Sequence, residues 1–212
     1  MFNVIFDMDG TLFDTQKPFI KAWNVCGEYQ GFENMGKHIP EVCGMNEAGN
    51  IAYLNTHFPK LDYAKFRQDV REYMLKNVSI HYKKGAKELL DYLKSRNIKI
   101  GLASGSTRGS IDHHLKAVGA EKYFDVILGS EDIERGKPAP DIFLKAAKLM
   151  GVKPEDCFVF EDSENGIKAG FNAGMNCIGV EDIVPFDTET KNLMYCELDD
   201  LSQAIEMFEN EL

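Results

Sequence analysis

The chain has 212 residues, 44% of them hydrophobic, which is enough for a packed core in one large domain or in a core with a smaller domain. A net charge of −10 argues against nucleic acid or an anionic membrane as the partner, because both are bound through basic surfaces. No apolar run could span a bilayer, no signal-peptide pattern is present, and five scattered cysteines are typical of reduced thiols, so we expect a cytoplasmic protein.

The first predicted strand ends in two acidic residues. Residues 2–6 form an apolar run that predicts a buried strand, and Asp7 and Asp9 follow it before Gly10 permits a sharp turn. Ligands of parallel α/β sheets bind at the carboxyl ends of the strands. Two carboxylates at such an edge favour a cation between them, and Mg²⁺ suits carboxylates together with a substrate phosphate. The alternative is an ordinary acidic turn, since Asp and Gly are common turn residues.

Residues 15–83 are predicted to be an all-helical insert. Apolar residues recur there at helical spacing, and no strand-like alternation interrupts them. The rest of the chain, residues 1–14 and 84–212, would form a second domain in which strands alternate with helices. The later strands are predicted at Ile98–Ser104, Asp125–Gly129, Cys157–Glu161 and Asn176–Val180. Such alternation predicts an α/β fold with a parallel sheet covered on both faces.

Three later segments carry residues that suit a phosphate or a metal ion. Ser104 and Gly105 lie between a strand and a helix, where a hydroxyl and backbone N–H groups can donate to phosphate. Simple capping of that helix by Ser104 or Ser106 is the alternative. Lys137 lies in a turn stiffened by two prolines, and an isolated lysine of this kind is usually a solvated surface charge.

The last of these segments ends the fourth strand with Glu161 and Asp162. These acids would join Asp7 and Asp9 at the edge of the sheet, although acids at a helix N-terminus are also favoured by the helix dipole. The five histidines show no ligand spacing, and we predict no role for the adjacent His113 and His114.

Four motifs, in this order, resemble those of the haloacid dehalogenase-like superfamily of phosphotransferases. They are Phe-Asp-Met-Asp-Gly-Thr-Leu-Phe-Asp-Thr at 6–15, Leu-Ala-Ser-Gly-Ser at 102–106, Gly-Lys-Pro-Ala-Pro-Asp at 136–141 and Phe-Val-Phe-Glu-Asp-Ser at 158–163. The resemblance spans nearly the whole chain and is nearest to the branch of β-phosphoglucomutase and small-molecule phosphatases. It implies a Rossmann-like core with strands ordered fifth, fourth, first, second, third, and a helical cap formed by residues 15–83.

The resemblance also implies a reaction and the residues that perform it. We expect Mg²⁺-dependent hydrolysis of a small phosphorylated metabolite through an aspartyl-phosphate intermediate, by a monomer or weak homo-oligomer. The implied roles are Asp7 as nucleophile and Asp9 as general acid and then general base. Ser104, Gly105 and Lys137 would bind the phosphoryl group. The implied ligands of Mg²⁺ are Asp7, the Asp9 carbonyl and Asp162, with Glu161 nearby.

Three other functions stay open: a sugar phosphomutase, a dehalogenase and a non-catalytic phospholigand-binding relative. Dehalogenases of this family typically lack the acid at Asp9, and a binding module has no need of a nucleophile at Asp7. The sugar mutases carry a cap-loop arginine and an early cap histidine, where this chain has Glu47 and Phe19. Glu47 is therefore a candidate substrate contact that would repel a second phosphate, unless a cap lysine compensates, and the sequence predicts a phosphatase.

Overall fold

A computed structural model describes residues 2–42 and 47–211, without the side chains of 47, 48 and 211. The chain divides into two compact units, Met1–Asp14 with Ile80–Leu212, and Thr15–Ser79. The second boundary falls before residue 80, not after the predicted residue 83. The reason is local pairing, because the Asp14 N–H donates to the His81 carbonyl at 3.0 Å and the Lys83 N–H donates to the Leu12 carbonyl at 2.8 Å.

The larger unit is built on one parallel sheet of six strands. The strands are β1 (Asn3–Phe6), β2 (Ile100–Ala103), β3 (Val126–Leu128), β4 (Cys157–Glu161), β5 (Asn176–Val180) and β6 (Cys196–Leu198). Their order across the sheet is β3-β2-β1-β4-β5-β6. The α/β, Rossmann-like fold class is thus confirmed, with the implied order for the first five strands. The short edge strand β6 was not predicted.

Helices follow the strands of this unit, as the alternating pattern predicts. The α-helices described in this unit are α5 (Ala86–Ser95), α6 (Arg108–Val118), α7 (Asp141–Met150), α8 (Glu164–Asn172), α9 (Thr188–Lys191) and α10 (Gln203–Glu211). Of these, α9 was not predicted. The apolar stripe of α5 at Ala86, Leu89, Leu90 and Leu93 is fully buried. Helix α7 packs Ile142, Phe143 and Ala146 into the core beneath Ile5 and Val159 of the sheet. Packing of these apolar faces is what fixes the helices on the sheet.

The described part of the smaller unit is helical. Its α-helices are α1 (Gln16–Glu28), α2 (Ile39–Val42), α3 (Glu47–His57) and α4 (Tyr63–Asn77). Trp23 of α1 is 5% exposed and meets Phe66 of α4 edge-on, with ring centroids 5.2 Å apart, so it is a core residue of this unit. The predicted substrate contact at Glu47 lies outside the described side chains. Among the described helices, none combines the length and apolar character of a membrane span.

Candidate active site

The carboxyl ends of three adjacent strands bring the first predicted residues together. Strand β1 lies between β2 and β4, and Phe6 pairs with Leu102 on one side and with Phe160 on the other. The residues that follow these positions therefore meet at one edge of the sheet. Gly10, with φ at +85°, turns the chain immediately after Asp9, a backbone conformation that glycine adopts without strain.

Lys137 reaches this edge as a buried cation between two carboxylates. Its Nζ lies 2.5 Å from Asp7 Oδ1 and 2.6 Å from Glu161 Oε1, and it also donates to the Ala103 carbonyl at 3.1 Å. Its side chain is 12% exposed, so Lys137 is not the solvated surface charge that isolated lysines usually are. Burial alone would lower the pKa of Lys137, but Asp7 and Glu161 outweigh it and raise that pKa.

Asp7 is held in a setting that disfavours its charge. Burial raises the pKa of Asp7 from its ordinary 3.8 to about 7, with Lys137 opposing the shift and Glu161 and Asp9 adding to it. Burial sets the direction, because a carboxylate removed from water loses the hydration of its charge, and Lys137 offsets only part of that effect. A further positive charge at this edge would lower the pKa of Asp7 and leave it ionised.

Glu161 uses both of its oxygens for contacts within the protein. While Oε1 faces Lys137, Oε2 accepts from the backbone N–H groups of Asp162 and Ser163 at 3.0 Å each and from the Ser163 hydroxyl at 2.9 Å. Gly166, on the first turns of α8, leaves the room for this carboxylate, since a Cβ there would lie 1.8 Å from Glu161 Cδ. Glu161 therefore ties Lys137 to the start of α8.

Asp162 is the third buried acid of the cluster. Its Oδ1 accepts from the Thr11 hydroxyl at 3.2 Å, and burial, followed by Glu161 and Asp7, raises its pKa well above the ordinary value. Oxygen atoms of Asp7, Glu161 and Asp162 all lie within 4.8 Å of one another. When ionised, these acids carry three negative charges against the one positive charge of Lys137. An all-oxygen set with two surplus negative charges fits a hard divalent cation such as Mg²⁺.

Ser104 and Gly105 form the turn between β2 and α6. Ser104 is 1% exposed, and its Oγ accepts from the Ser106 N–H at 3.0 Å, so its hydroxyl proton stays available for another acceptor. A Cβ at Gly105 would meet no atom within 4 Å, which leaves open space beside its backbone. Thr107 caps α6 by accepting from the Ser110 N–H, so the alternative of capping by Ser104 or Ser106 is wrong.

Asp9 faces two side chains for which the sequence analysis predicted no catalytic role. The Ser106 hydroxyl donates to Asp9 Oδ2 at 2.7 Å, and His114 Nδ1 lies 3.6 Å from Asp9 Oδ1. Burial lowers the pKa of His114, while Asp9 acts in the opposite direction. The available sequence signal was helical spacing, since His114 lies on the same face of α6 as the buried Ile111 and beside Leu115.

Comparison with known proteins gives one family. The profile of the haloacid dehalogenase-like hydrolase family matches residues 4–180. The phosphorylated carbohydrates phosphatase of Thermotoga maritima is 33% identical, with 82% of each chain covered. Fructose-1-phosphate phosphatase YqaB of Escherichia coli is 32% identical, over 84% of this chain and 95% of that protein. The crystal structure of β-phosphoglucomutase from Clostridium difficile superposes with a TM-score of 0.79 at 27% identity, covering 100% of this chain and 98% of that one.

Proposed function

We propose that the chain hydrolyses a small phosphorylated metabolite through an aspartyl-phosphate on Asp7. The chain belongs to the haloacid dehalogenase-like hydrolase family and is a phosphatase of its β-phosphoglucomutase-like branch. Phosphorylated sugars are the substrate class that we favour, because two relatives are named as phosphatases of phosphorylated carbohydrates and of fructose 1-phosphate. The observation that carries the proposal is the buried cluster of Asp7, Lys137, Glu161 and Asp162 at the carboxyl edge of the sheet.

In the first step, a carboxylate oxygen of Asp7 attacks phosphorus while the bond from phosphorus to the alcohol oxygen breaks. Asp9 donates its proton to that oxygen, so the alcohol leaves in its neutral form. Lys137 Nζ lies 2.5 Å from Asp7 Oδ1 and can neutralise charge on the oxygens of the phosphoryl group whose phosphorus bonds to Asp7. The Ser104 hydroxyl and the backbone at Gly105 would donate to the same group.

In the second step, water attacks the phosphorus of the aspartyl-phosphate, and the bond from phosphorus to Asp7 breaks. Asp9, now ionised, accepts the proton of this water, which returns both aspartates to their starting forms. The sum of the two steps consumes one phosphomonoester and one water, and it releases one alcohol and one inorganic phosphate.

The metal requirement follows from the surplus of negative charge. Asp7 and Asp162 are the carboxylates that we assign to Mg²⁺, together with the backbone carbonyl of Asp9, and bound Mg²⁺ would supply positive charge to the transferring phosphoryl group. We assign Glu161 a supporting place near the ion, because both of its oxygens already accept hydrogen bonds within the protein.

A sugar phosphomutase is the second candidate, favoured by the likeness to the β-phosphoglucomutase structure. The two reactions share the chemistry of Asp7 and differ in what receives the phosphoryl group, water or a sugar hydroxyl. We further propose that the unit Thr15–Ser79 is the family's helical cap and carries the residues that choose between substrates.

The test is phosphate release from a panel of sugar phosphates, nucleotides and short phosphorylated acids, with Mg²⁺ and with EDTA. We expect release that requires Mg²⁺ and is lost by at least about 1,000-fold in Asp7→Asn, the scale seen when a catalytic nucleophile is removed. Asn has nearly the shape of Asp but cannot attack phosphorus. Undiminished turnover by folded Asp7→Asn would refute the covalent mechanism, and full activity in EDTA would refute the metal requirement.

A further inference from the structure

Two side chains of the α6 region approach the carboxylate of Asp9 from different positions. Ser106, just before α6, donates its hydroxyl to Oδ2 at 2.7 Å. His114, two turns into α6, places Nδ1 at 3.6 Å from Oδ1. Each oxygen of the proposed proton donor therefore faces a polar side-chain atom, one just before α6 and one within it, and the mechanism above uses neither of these residues.

The surroundings of His114 make its position informative. The residue is 8% exposed, and its Nδ1 is buried without a hydrogen-bond partner among the described residues. Its ring also meets the ring of Phe13 edge-on, with centroids 6.4 Å apart. A buried polar nitrogen without a partner costs free energy, so this nitrogen is expected to find one during function. The acidic group that it faces is Asp9.

We propose that His114 is a positioning residue for Asp9, donating from Nδ1 to Oδ1 and fixing the carboxylate, together with Ser106, for proton transfer. This inference rests on the proposed function, in which Asp9 protonates the leaving alcohol. A distance of 3.6 Å is too long for a hydrogen bond, and a shift of about 0.7 Å would bring it to the usual 2.9 Å. Catalytic hydrogen bonds are often long before substrate binds and shorten in the complex.

The contact does not depend on the charge of the imidazole. A protonated ring donates from both nitrogens, and a neutral ring donates from Nδ1 in one of its two tautomers. A carboxylate opposite Nδ1 favours the tautomer with its proton there. In either form, His114 can restrict the rotation of Asp9 and hold it where the leaving oxygen must receive its proton.

This role has a consequence that ordinary stabilisation of the fold does not share. An alkyl alcohol is a poor leaving group and needs the proton of Asp9, whereas p-nitrophenolate leaves readily without one. If His114 acts by orienting Asp9, its loss lowers kcat/KM for alkyl phosphates and spares kcat/KM for p-nitrophenyl phosphate. This ratio reports the first step alone, whereas the later hydrolysis of the aspartyl-phosphate is the same for both substrates. A loss of folded protein would lower the two activities equally.

The experiment compares three variants on two substrates. The variants are His114→Leu, His114→Asn and, as the matched control on the same helix, His113→Leu. Asn places its amide nitrogen where Nδ1 stands, so it can restore the donor, while Leu fills the site without one. The substrates are p-nitrophenyl phosphate and whichever of glucose 6-phosphate, fructose 1-phosphate and glycerol phosphate the wild-type protein hydrolyses fastest.

For His114→Leu we expect kcat/KM on the alkyl phosphate to fall by about 10- to 100-fold, which is part of the contribution of a general acid. On p-nitrophenyl phosphate the loss should stay below about threefold, because no general acid is needed there. His114→Asn should recover most of the alkyl activity, and His113→Leu should match the wild type on both substrates.

Other results of this experiment would contradict the role of His114 as a positioning residue. Equal losses of kcat/KM on the two substrates, or an Asn variant with the same low kcat/KM as the Leu variant on the alkyl phosphate, would show that His114 supports only the fold. Unchanged kinetics in His114→Leu would also overturn the inference. A wild-type protein that releases phosphate from none of these esters would instead refute the proposed function, so the two failures can be told apart.

Discussion

Replacing Gly166 by alanine tests how Glu161 is held. A Cβ at position 166 would lie 1.8 Å from Glu161 Cδ, so the carboxylate must retreat by about 1.6 Å to reach an ordinary contact of 3.4 Å. A flexible side chain could retreat at little cost, but Glu161 is 1% exposed and accepts four hydrogen bonds, one of them from Lys137 at 2.6 Å. The displacement would break most of these bonds.

The expected loss of stability is large for one methyl group. Leaving a buried charge without its partner costs about 3–5 kcal/mol. For a chain of this length each kcal/mol lowers the melting temperature by about 2–4 °C, which gives a decrease of roughly 6–20 °C. Because Lys137 would lose one of its two carboxylate partners, kcat should also fall by about 100-fold, the scale for losing one charge-stabilising group.

The assay is a thermal melt with phosphate release, and two further variants isolate the cause. In Gly170→Ala the new Cβ lies 2.6 Å from Cys177 Sγ, so this variant should be destabilised by overpacking while the folded enzyme keeps its kcat. In a Glu161→Ala background Gly166→Ala should have little further effect, because its target is gone. Wild-type stability and kcat in Gly166→Ala, or the same loss in the Glu161→Ala background, would refute the reasoning.

Three further predictions concern the ion, the pH and the acceptor. Mg²⁺ at 100 times its dissociation constant should stabilise the native protein by about 2.7 kcal/mol over protein in EDTA, and identical melting temperatures would count against a preformed site. The pKa of Asp7 is raised from 3.8 to about 7 in the fold, so the folded state binds the proton of Asp7 more tightly than the unfolded state does. The stability of the metal-free wild type, relative to that of Asp7→Asn, should therefore fall as the pH rises from 3.8 to about 7. Denaturant titrations in EDTA that show a rise would contradict this. With Glu47 where sugar mutases carry an arginine, a coupled assay with a bisphosphate primer should detect no conversion of glucose 1-phosphate to glucose 6-phosphate, and conversion faster than hydrolysis would make the chain a mutase.

The sequence predicted the main elements of the larger unit because their signals are local. The residues 157–160 and 177–180 of strands β4 and β5 are continuous apolar runs, and buried parallel strands need no other pattern. Strand β6 and helix α9 were not predicted. They have only three and four residues with partly exposed side chains, so their hydrophobic periodicity is too short to recognise. The sequence leaves open the alternative that Ser104 or Ser106 caps α6, because Thr107 suits that role equally and only backbone geometry distinguishes the three.

The sequence alone determines the chemical groups of the candidate site. Acids at the ends of two apolar strands, a serine at the end of a third and a lysine between prolines identify the candidate site without coordinates. Which of them touch was decided by the tertiary structure. Lys137 meets Asp7 across 130 residues of chain, and Asp9 faces His114 because α6 docks on the sheet with that side inward. Such contacts depend on how helices pack and which rotamers the packing allows, and no local pattern of residues specifies either.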